Sequence, residues 1–342
     1  MRIILYLLSL IYGIIISIRN FFFDYKILNS KKISVPTICI GNLSLGGSGK
    51  TPLTDYIAKL LSVNYNIAIL SRGYGRKLKG FQYVECNSNP CDLGDEPLQL
   101  KKNNSNCVVA VNNNRLHAIK KILADYPKID VVLLDDGFQH RRVKFGLNII
   151  VTTYQKLYIF DKLFPLGNLR EHKQGAKRAD IIIVSKTPEH LKQNQKEHTL
   201  KNLNISTTQT AYFSSIKYYK YRCISKNTEL KNEEEYSITL VTGIANSDLL
   251  KSYLRKAGRK VNSIKYKDHH SYSKIDIDKI LLAFNKDKSL KKLILTTEKD
   301  AAKIQQFRKI LKDIKIYFIP IEVVIFKKER FEKQILDYVR KN

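Results

Sequence analysis

Val35-Pro36-Thr37-Ile38-Cys39-Ile40-Gly41-Asn42-Leu43-Ser44-Leu45-Gly46-Gly47-Ser48-Gly49-Lys50-Thr51 places a β-branched run against a glycine-rich turn that ends in Lys-Thr. The run from Val35 to Ile40 reads as a strand, and the apolar pattern from Thr51 to about Leu61 reads as a helix. A small-residue turn between a strand and a helix lets backbone N–H groups close on phosphate oxygens, and the helix start adds its positive dipole end. Ser44, Leu45, Gly46, Gly47, Ser48, Gly49, Lys50 and Thr51 are therefore the candidate nucleotide-binding residues. Lys50 is placed to reach the β- and γ-phosphates and Thr51 to give its hydroxyl to Mg²⁺. The first position of the strict pattern is Ser44 rather than glycine. A chance Lys-Thr after a glycine-rich turn is the alternative, and the flanking strand and helix argue against it.

Outward from this loop the chain alternates short apolar runs with helical stretches. Ile67–Leu70, Cys107–Val111, Val131–Leu134, Leu147–Val151 and Ile181–Val184 read as buried strands, and Arg115–Ala124 as a helix. Polar and glycine residues gather at the strands' C-terminal ends, where ligands of such sheets bind. The pattern predicts an α/β fold: a mostly parallel, P-loop NTPase-like sheet with helices on both faces. Residues 25–205 form the expected core. Residues 206–236, loose and rich in Tyr, Lys and Glu, are the expected linker. Residues 237–342 are expected to form a smaller C-terminal α/β domain, with a late strand over Ile316–Ile325 broken by Pro320.

The chain has 342 residues and a formal charge of +29, which favours an anionic partner. No compact Lys/Arg run, RNP-like aromatic motif or zinc-finger spacing is present, so nucleic acid is not the expected partner. An anionic membrane surface fits better. Ile3–Ile18 is almost wholly apolar, bracketed by Arg2 and Arg19 and followed by Phe21, Phe22 and Phe23. As a helix this run reaches roughly 24 Å, short of a hydrocarbon core of about 30 Å. Ile18-Arg19-Asn20-Phe21 lacks the small residues of a cleavage site. Residues 1–24 are expected to be a membrane-associated helix, spanning or lying in one leaflet. The five cysteines form no C-x-x-C pair and read as reduced, structural thiols.

Val131-Val132-Leu133-Leu134-Asp135-Asp136 is an apolar strand ending in carboxylates suited to hold Mg²⁺ directly or through water. The nearest approach to a guanine-reading Asn-Lys-x-Asp turn is Ser185-Lys186-Thr187-Pro188, which lacks the Asp; ATP is the expected nucleotide. Transfer to a hydroxyl needs a base. Gly94-Asp95-Glu96-Pro97 offers two carboxylates and Asp268-His269-His270 two imidazoles.

These segments, with Ser71-Arg72-Gly73-Tyr74-Gly75-Arg76, Asn114-Arg115, Leu134-Asp135-Asp136-Gly137-Phe138-Gln139-His140, Pro165-Leu166-Gly167-Asn168-Leu169-Arg170-Glu171 and Thr297-Glu298-Lys299-Asp300, stand in an order that resembles the tetraacyldisaccharide 4′-kinases, the lipid A 4′-kinases of Gram-negative bacteria. The resemblance implies transfer of the ATP γ-phosphate to the 4′-hydroxyl of an acylated glucosamine disaccharide 1-phosphate, at the cytoplasmic face of the inner membrane. It implies Asp95 as base supported by His269, with Lys50 and Asp135 also in catalysis. It places Thr51, Asp136, Gln139 and Glu171 around Mg²⁺. Tyr74, Arg115 and His140 become expected substrate contacts.

Overall fold

The computed structural model describes residues 2–311 and 314–342. The first helix, α1 (Arg2–Asp24), precedes a short parallel pair, Lys31–Lys32 with Val143–Lys144. The larger sheet is built from β1 (Thr37–Gly41), β2 (Ile67–Ser71), β3 (Gln82–Tyr83), β4 (Val108–Val111), β5 (Val131–Asp135), β6 (Leu147–Thr153), β7 (Ile181–Ser185) and β8 (Thr210–Tyr218). A smaller sheet takes β9 (Arg222–Cys223), β10 (Ser237–Thr242), β11 (Val261–Lys265), β12 (Lys292–Thr297) and β13 (Ile316–Ile319). The last strand, β14 (Ile321–Ile325), returns to the larger sheet. The larger sheet runs β14-β8-β7-β6-β1-β5-β2-β4-β3, parallel except for β14 and β3 at its two edges. The smaller runs β9-β13-β12-β10-β11, antiparallel only at β9.

The helices are α2 (Lys50–Leu61), α3 (Asp95–Asn103), α4 (Arg115–Asp125), α5 (Gln193–Leu203), α6 (Asp248–Lys256), α7 (Lys274–Lys286), α8 (Glu298–Ile304) and α9 (Lys328–Arg340). Central strands are buried on both faces because helices cover both, which is why they read as continuous apolar runs. Leu53, Ile57 and Leu61 of α2 join Ile38, Ile40 and Leu133 on one face. Cys39, Ile150 and Ile182 point to the other, against Leu157, Tyr158 and Leu169.

Two of the expected domain limits are corrected. Thr210–Tyr218, placed in the linker by its loose pattern, is a strand of the larger sheet pairing with both β7 and β14. Residues 321–340, assigned to the second domain, belong to the first: Phe331, Ile335 and Val339 of α9 lie in the same cluster as Ile38 and Ile40. The Tyr338 hydroxyl adds a bond to the Thr37 carbonyl at 3.1 Å. Pro320 is the point of transfer. With no N–H to donate, it ends β13, and the chain crosses to the other sheet. The Tyr219 N–H bonds the Pro320 carbonyl at 3.0 Å, so an antiparallel two-strand ribbon joins the lobes.

α1 lies on the core. Leu5, Ser9, Tyr12, Gly13, Ile16, Asn20 and Phe23 form its half-buried or buried stripe. Ser9 donates to the Leu163 carbonyl at 3.0 Å and Tyr12 to the Arg170 carbonyl at 2.7 Å. A side chain at Gly13 would bring its Cβ to 2.8 Å from Leu163 Cδ1, so glycine is what permits this approach. The opposite face is wholly apolar and exposed. By length and composition this helix can cross a membrane.

Candidate active site

The loop after β1 opens α2 at Gly49, whose backbone is left-handed at φ 93°. A residue with a Cβ adopts that conformation at a cost, which accounts for glycine at this position. Ser44 bridges antiparallel to Leu169, and the Leu45 N–H bonds the Asn168 carbonyl at 2.7 Å. The start of the loop is thus strand-like, and serine fits where the strict pattern has glycine. Inside the loop the Asn42 amide donates to the Ser48 hydroxyl at 3.1 Å.

Thr51, in the first turn of α2, donates to Asp135 at 3.2 Å, and Thr54 donates to the other Asp135 oxygen at 3.1 Å. Burial, with Glu96 adding repulsion, pushes the Asp135 carboxyl up to about 7. Asp136 has a left-handed backbone, φ 58°, and turns its carboxylate toward Arg170, at 2.7 and 2.9 Å, and Lys50, at 3.6 Å. Burial would raise its pKa, but Lys50 and Arg170 outweigh that and hold it at about 2. The two adjacent aspartates are therefore electrostatically distinct: one next to the magnesium-type hydroxyl, one clamped by cations.

Gln139 donates to Glu171 at 2.9 Å and to the Asn42 carbonyl at 2.9 Å, and Arg178 pairs with Glu171 at 2.7 Å. Arg19 and Asn20 of α1 reach the same place, Arg19 to the Gln139 carbonyl at 2.7 Å and Asn20 to Glu171 at 3.3 Å. Among the described residues no three His, Cys, Asp or Glu side chains converge as a preformed metal cluster. The oxygen donors of Thr51, Asp135, Asp136, Gln139 and Glu171 nonetheless match the preference of Mg²⁺, which takes few protein ligands and keeps its waters.

Across the cleft, Asp95 opens α3, where the helix dipole favours a carboxylate. His269, in the middle of the loop after β11, approaches with Nδ1 3.1 Å from Asp95 Oδ1. Its backbone φ of 56° is unusual for histidine. The His269 pKa rises: burial would lower it, but the hydrogen bond to Asp95 prevails. Asp95 also meets Lys303 at 3.0 Å and Lys299 at 3.9 Å. Burial would raise its pKa; His269, Lys299 and Lys303 together hold it well below the usual carboxylate range. Tyr74 packs its ring on His269 with centroids 4.8 Å apart.

Arg115 is only 2% exposed. Its place is set by Asn114, which caps α4 by accepting from the His117 N–H at 3.2 Å. One guanidinium nitrogen donates to the Ser71 and Asn112 carbonyls, while Nε and the second terminal nitrogen are buried without a partner. Burial lowers its pKa to about 10, with Asp136 opposing the shift. Burial, then Arg115 and Arg72, push nearby His140 down to about 3, so it is neutral at pH 7.

Of the sequence-expected residues, Leu45 to Thr51, Tyr74, Asp136 and His269 line one cleft of about 450 Å³ between the lobes. Asp95 lies behind His269 and Asp135 behind Thr51, while Ser44, Arg115, Gln139, His140 and Glu171 do not line it. Others in the cleft went unnoticed. Lys186 donates to the Gly47 carbonyl at 2.7 Å, and Ser185 to the Ser48 carbonyl at 2.6 Å. In sequence Ser185-Lys186 reads only as a poor guanine motif; its position after a central strand is the signal that marks it. Ile216, Tyr218, Ile244, Leu249, Leu250 and Val323 make an apolar wall beside the loop, to which the returning β14 adds Val323.

A family model described as tetraacyldisaccharide-1-P 4′-kinase (LpxK) matches residues 1–340. A tetraacyldisaccharide 4′-kinase of Bacteroides thetaiotaomicron is 42% identical over 354 residues, covering 99% of this chain and 93% of its own. One from Flavobacterium johnsoniae is 38% identical, covering 100% and 98%. LpxK from Aquifex aeolicus, solved in complex with ATP, superimposes with a TM-score of 0.77 at 28% identity over 99% of both chains. The chain belongs to the tetraacyldisaccharide-1-P 4′-kinase family and is an ATP-dependent kinase of lipid A biosynthesis.

Proposed function

We propose that Asp95 and His269 on one side of the cleft, and the loop from Ser44 to Thr51 on the other, transfer the ATP γ-phosphate to the 4′-hydroxyl of a tetraacyldisaccharide 1-phosphate. The observation that carries this reading is the 3.1 Å contact of Asp95 with His269 in the cleft lined by the phosphate loop. The loop's N–H groups and Lys50 bind the phosphates, and the apolar wall of Ile216, Tyr218 and Leu250 takes the base. Mg²⁺ would be held at Thr51, with Asp135 behind it and Asp136, Gln139 and Glu171 nearby; bound there it neutralises phosphate charge.

The acceptor oxygen attacks the γ-phosphorus as the bond to the β–γ bridging oxygen breaks, and ADP leaves. The acceptor proton passes to Asp95. His269 orients that carboxylate and spreads the charge. A low carboxylate pKa suits a loose transition state, in which the proton moves late. The unpartnered nitrogens of Arg115, with Arg72 and His140, suit an anionic acceptor group, and Tyr74 can close over it. The contacts of α1 with Gln139, Glu171 and Arg170 support a reading in which the lipid arrives from the side of that helix. The site of action in this reading is the cytoplasmic face of the inner membrane, where ATP is available, and an anionic surface complements the charge of +29.

The test is incubation with labelled ATP, Mg²⁺ and the disaccharide 1-phosphate, followed by chromatographic separation of lipids. Label is expected in lipid with the parent chain and absent with Asp95→Ala, which should still bind nucleotide. Label found only in inorganic phosphate would refute lipid phosphorylation.

A further inference from the structure

The outer face of α1 does not end the apolar surface. Immediately beside it, the chain after β6 makes a 3₁₀ turn (Tyr158–Phe160) and runs on to Phe164. Leu157 and Tyr158 anchor this loop in the core. Leu163 lies against Gly13, and Phe164 sets its ring edge to Tyr12 at 6.0 Å. Yet Phe160 is 69% exposed and Phe164 46% exposed. Two exposed phenylalanines on one short loop beside an apolar helix enlarge the kind of exposed apolar patch that marks a membrane or protein contact. Lys162 lies exposed between them, and Lys173 and Lys177 lie exposed just beyond His172, whose ring meets Gly13.

We propose that the Tyr158–Phe164 loop is a second membrane contact, dipping Phe160 and Phe164 into the same leaflet that receives the outer face of α1. Two observations select a bilayer as the occupant. The loop packs against Tyr12 and Gly13 of α1, whose outward side exposes Ile4, Leu7, Ile11, Ile14, Ile18 and Phe22. Its lysines supply the positive rim that anionic headgroups attract. A helix docked on its own protein from Leu5 to Phe23 lies along the surface and presents one side to lipid, as an interfacial helix does. Phe160 and Phe164 extend that side, so the cleft faces the headgroups rather than standing away on a single tether. The proposal rests on the membrane reading of α1.

The chain contains no tryptophan, so one introduced residue reports alone. Phe160→Trp, Phe164→Trp and Ile11→Trp are to be compared on vesicles of phosphatidylethanolamine and phosphatidylglycerol, without acceptor, carrying bromine on the acyl chains. Val63→Trp is the reference; Val63 is 77% exposed at the end of α2, on the opposite face of the larger sheet. The expected result is blue-shifted, quenched emission at positions 160, 164 and 11, and none at 63. Phe160→Ser combined with Phe164→Ser should weaken vesicle binding about tenfold or more with the fold intact. Quenching at Ile11→Trp alone would overturn the loop contact and leave the helix anchor standing. No quenching at any position would sink the membrane reading itself. A blue shift at 160 and 164 before vesicles are added would assign the loop to a contact between copies and overturn the proposal.

Discussion

Asp95 is met by three cationic or protonatable groups, all from the smaller lobe. His269 and Lys303 touch it, Lys299 stands 3.9 Å away, and Glu96 and Asp268 in turn share Lys299 at 3.1 and 3.4 Å. Lys303 is nearly buried and stands 3.7 Å from Asp300 on its own helix. Lys303→Met removes one cation while burial of Asp95 persists, so the Asp95 pKa must move up toward the ordinary carboxylate value. With Asp95 as the proposed base, transfer needs the carboxylate, so activity is lost as pH falls through that pKa. The acid limb of kcat should therefore shift to higher pH, and Lys303→Arg should restore most of the shift. Superimposable profiles for Lys303→Met and the parent would remove Lys303 from this role. Lys186 carries a separate expectation. Burial lowers its pKa, and it holds the Gly47 carbonyl. Lys186→Ala should raise the KM for ATP about tenfold, the value of a charge-assisted hydrogen bond, and steady-state kinetics against ATP will show it. At this scale much was legible. Lys50, Thr51, Asp95 and Asp135 stand in short motifs whose chemistry is local. Lys303 and Lys186 were not, because a lone lysine carries no pattern until another lobe or strand sets a partner beside it.

In the proposed reading, the element that most links membrane to chemistry is α1. Its docked stripe of small and polar residues is placed at helical spacing, and that stripe meets the loop carrying Arg170 and Glu171. Gly13→Leu puts a side chain where Leu163 already sits, overpacking that costs about 1–3 kcal/mol and levers the helix from its seat. The expected outcome is lower kcat with vesicle binding retained, since the apolar outer face is untouched. Sedimentation with vesicles beside a transfer assay separates the two. Unchanged kcat would mean that the helix acts as an anchor alone. A hydropathy reading shows this segment as one apolar run and misses the stripe, because serine, tyrosine and glycine barely interrupt it.

On the scale of the molecule, the lobes meet at more than the His269–Asp95 contact. The ribbon through Tyr219 and Pro320 joins them covalently, and α3 meets α8 across the cleft, where Gln99 donates to Glu298 at 2.6 Å. Closure about that ribbon on nucleotide would exclude water. The return of the chain makes a sharp prediction. Phe331 is fully buried in the first lobe although it lies in the last dozen residues. Phe331→Ala should cost about 3–5 kcal/mol, and the loss should appear in the larger lobe, as faster amide exchange in β1 and β5 rather than in β10 and β12. Exchange rising only in the smaller lobe would contradict the assignment of α9.

The phosphate loop and the central parallel strands were legible in the pattern of the chain, and so were the candidate reacting groups, because each is a short segment whose residues act on their immediate neighbours. The tertiary structure alone decided where the lobes divide, that Pro320 hands the chain back to the first sheet, and that Asp135 rather than Asp136 stands by Thr51. Edge pairing of β8 with β14, and the direction in which adjacent aspartates turn, depend on backbone registers and charges brought together from residues more than a hundred positions apart or from a single left-handed turn. Neither leaves a local periodicity to read.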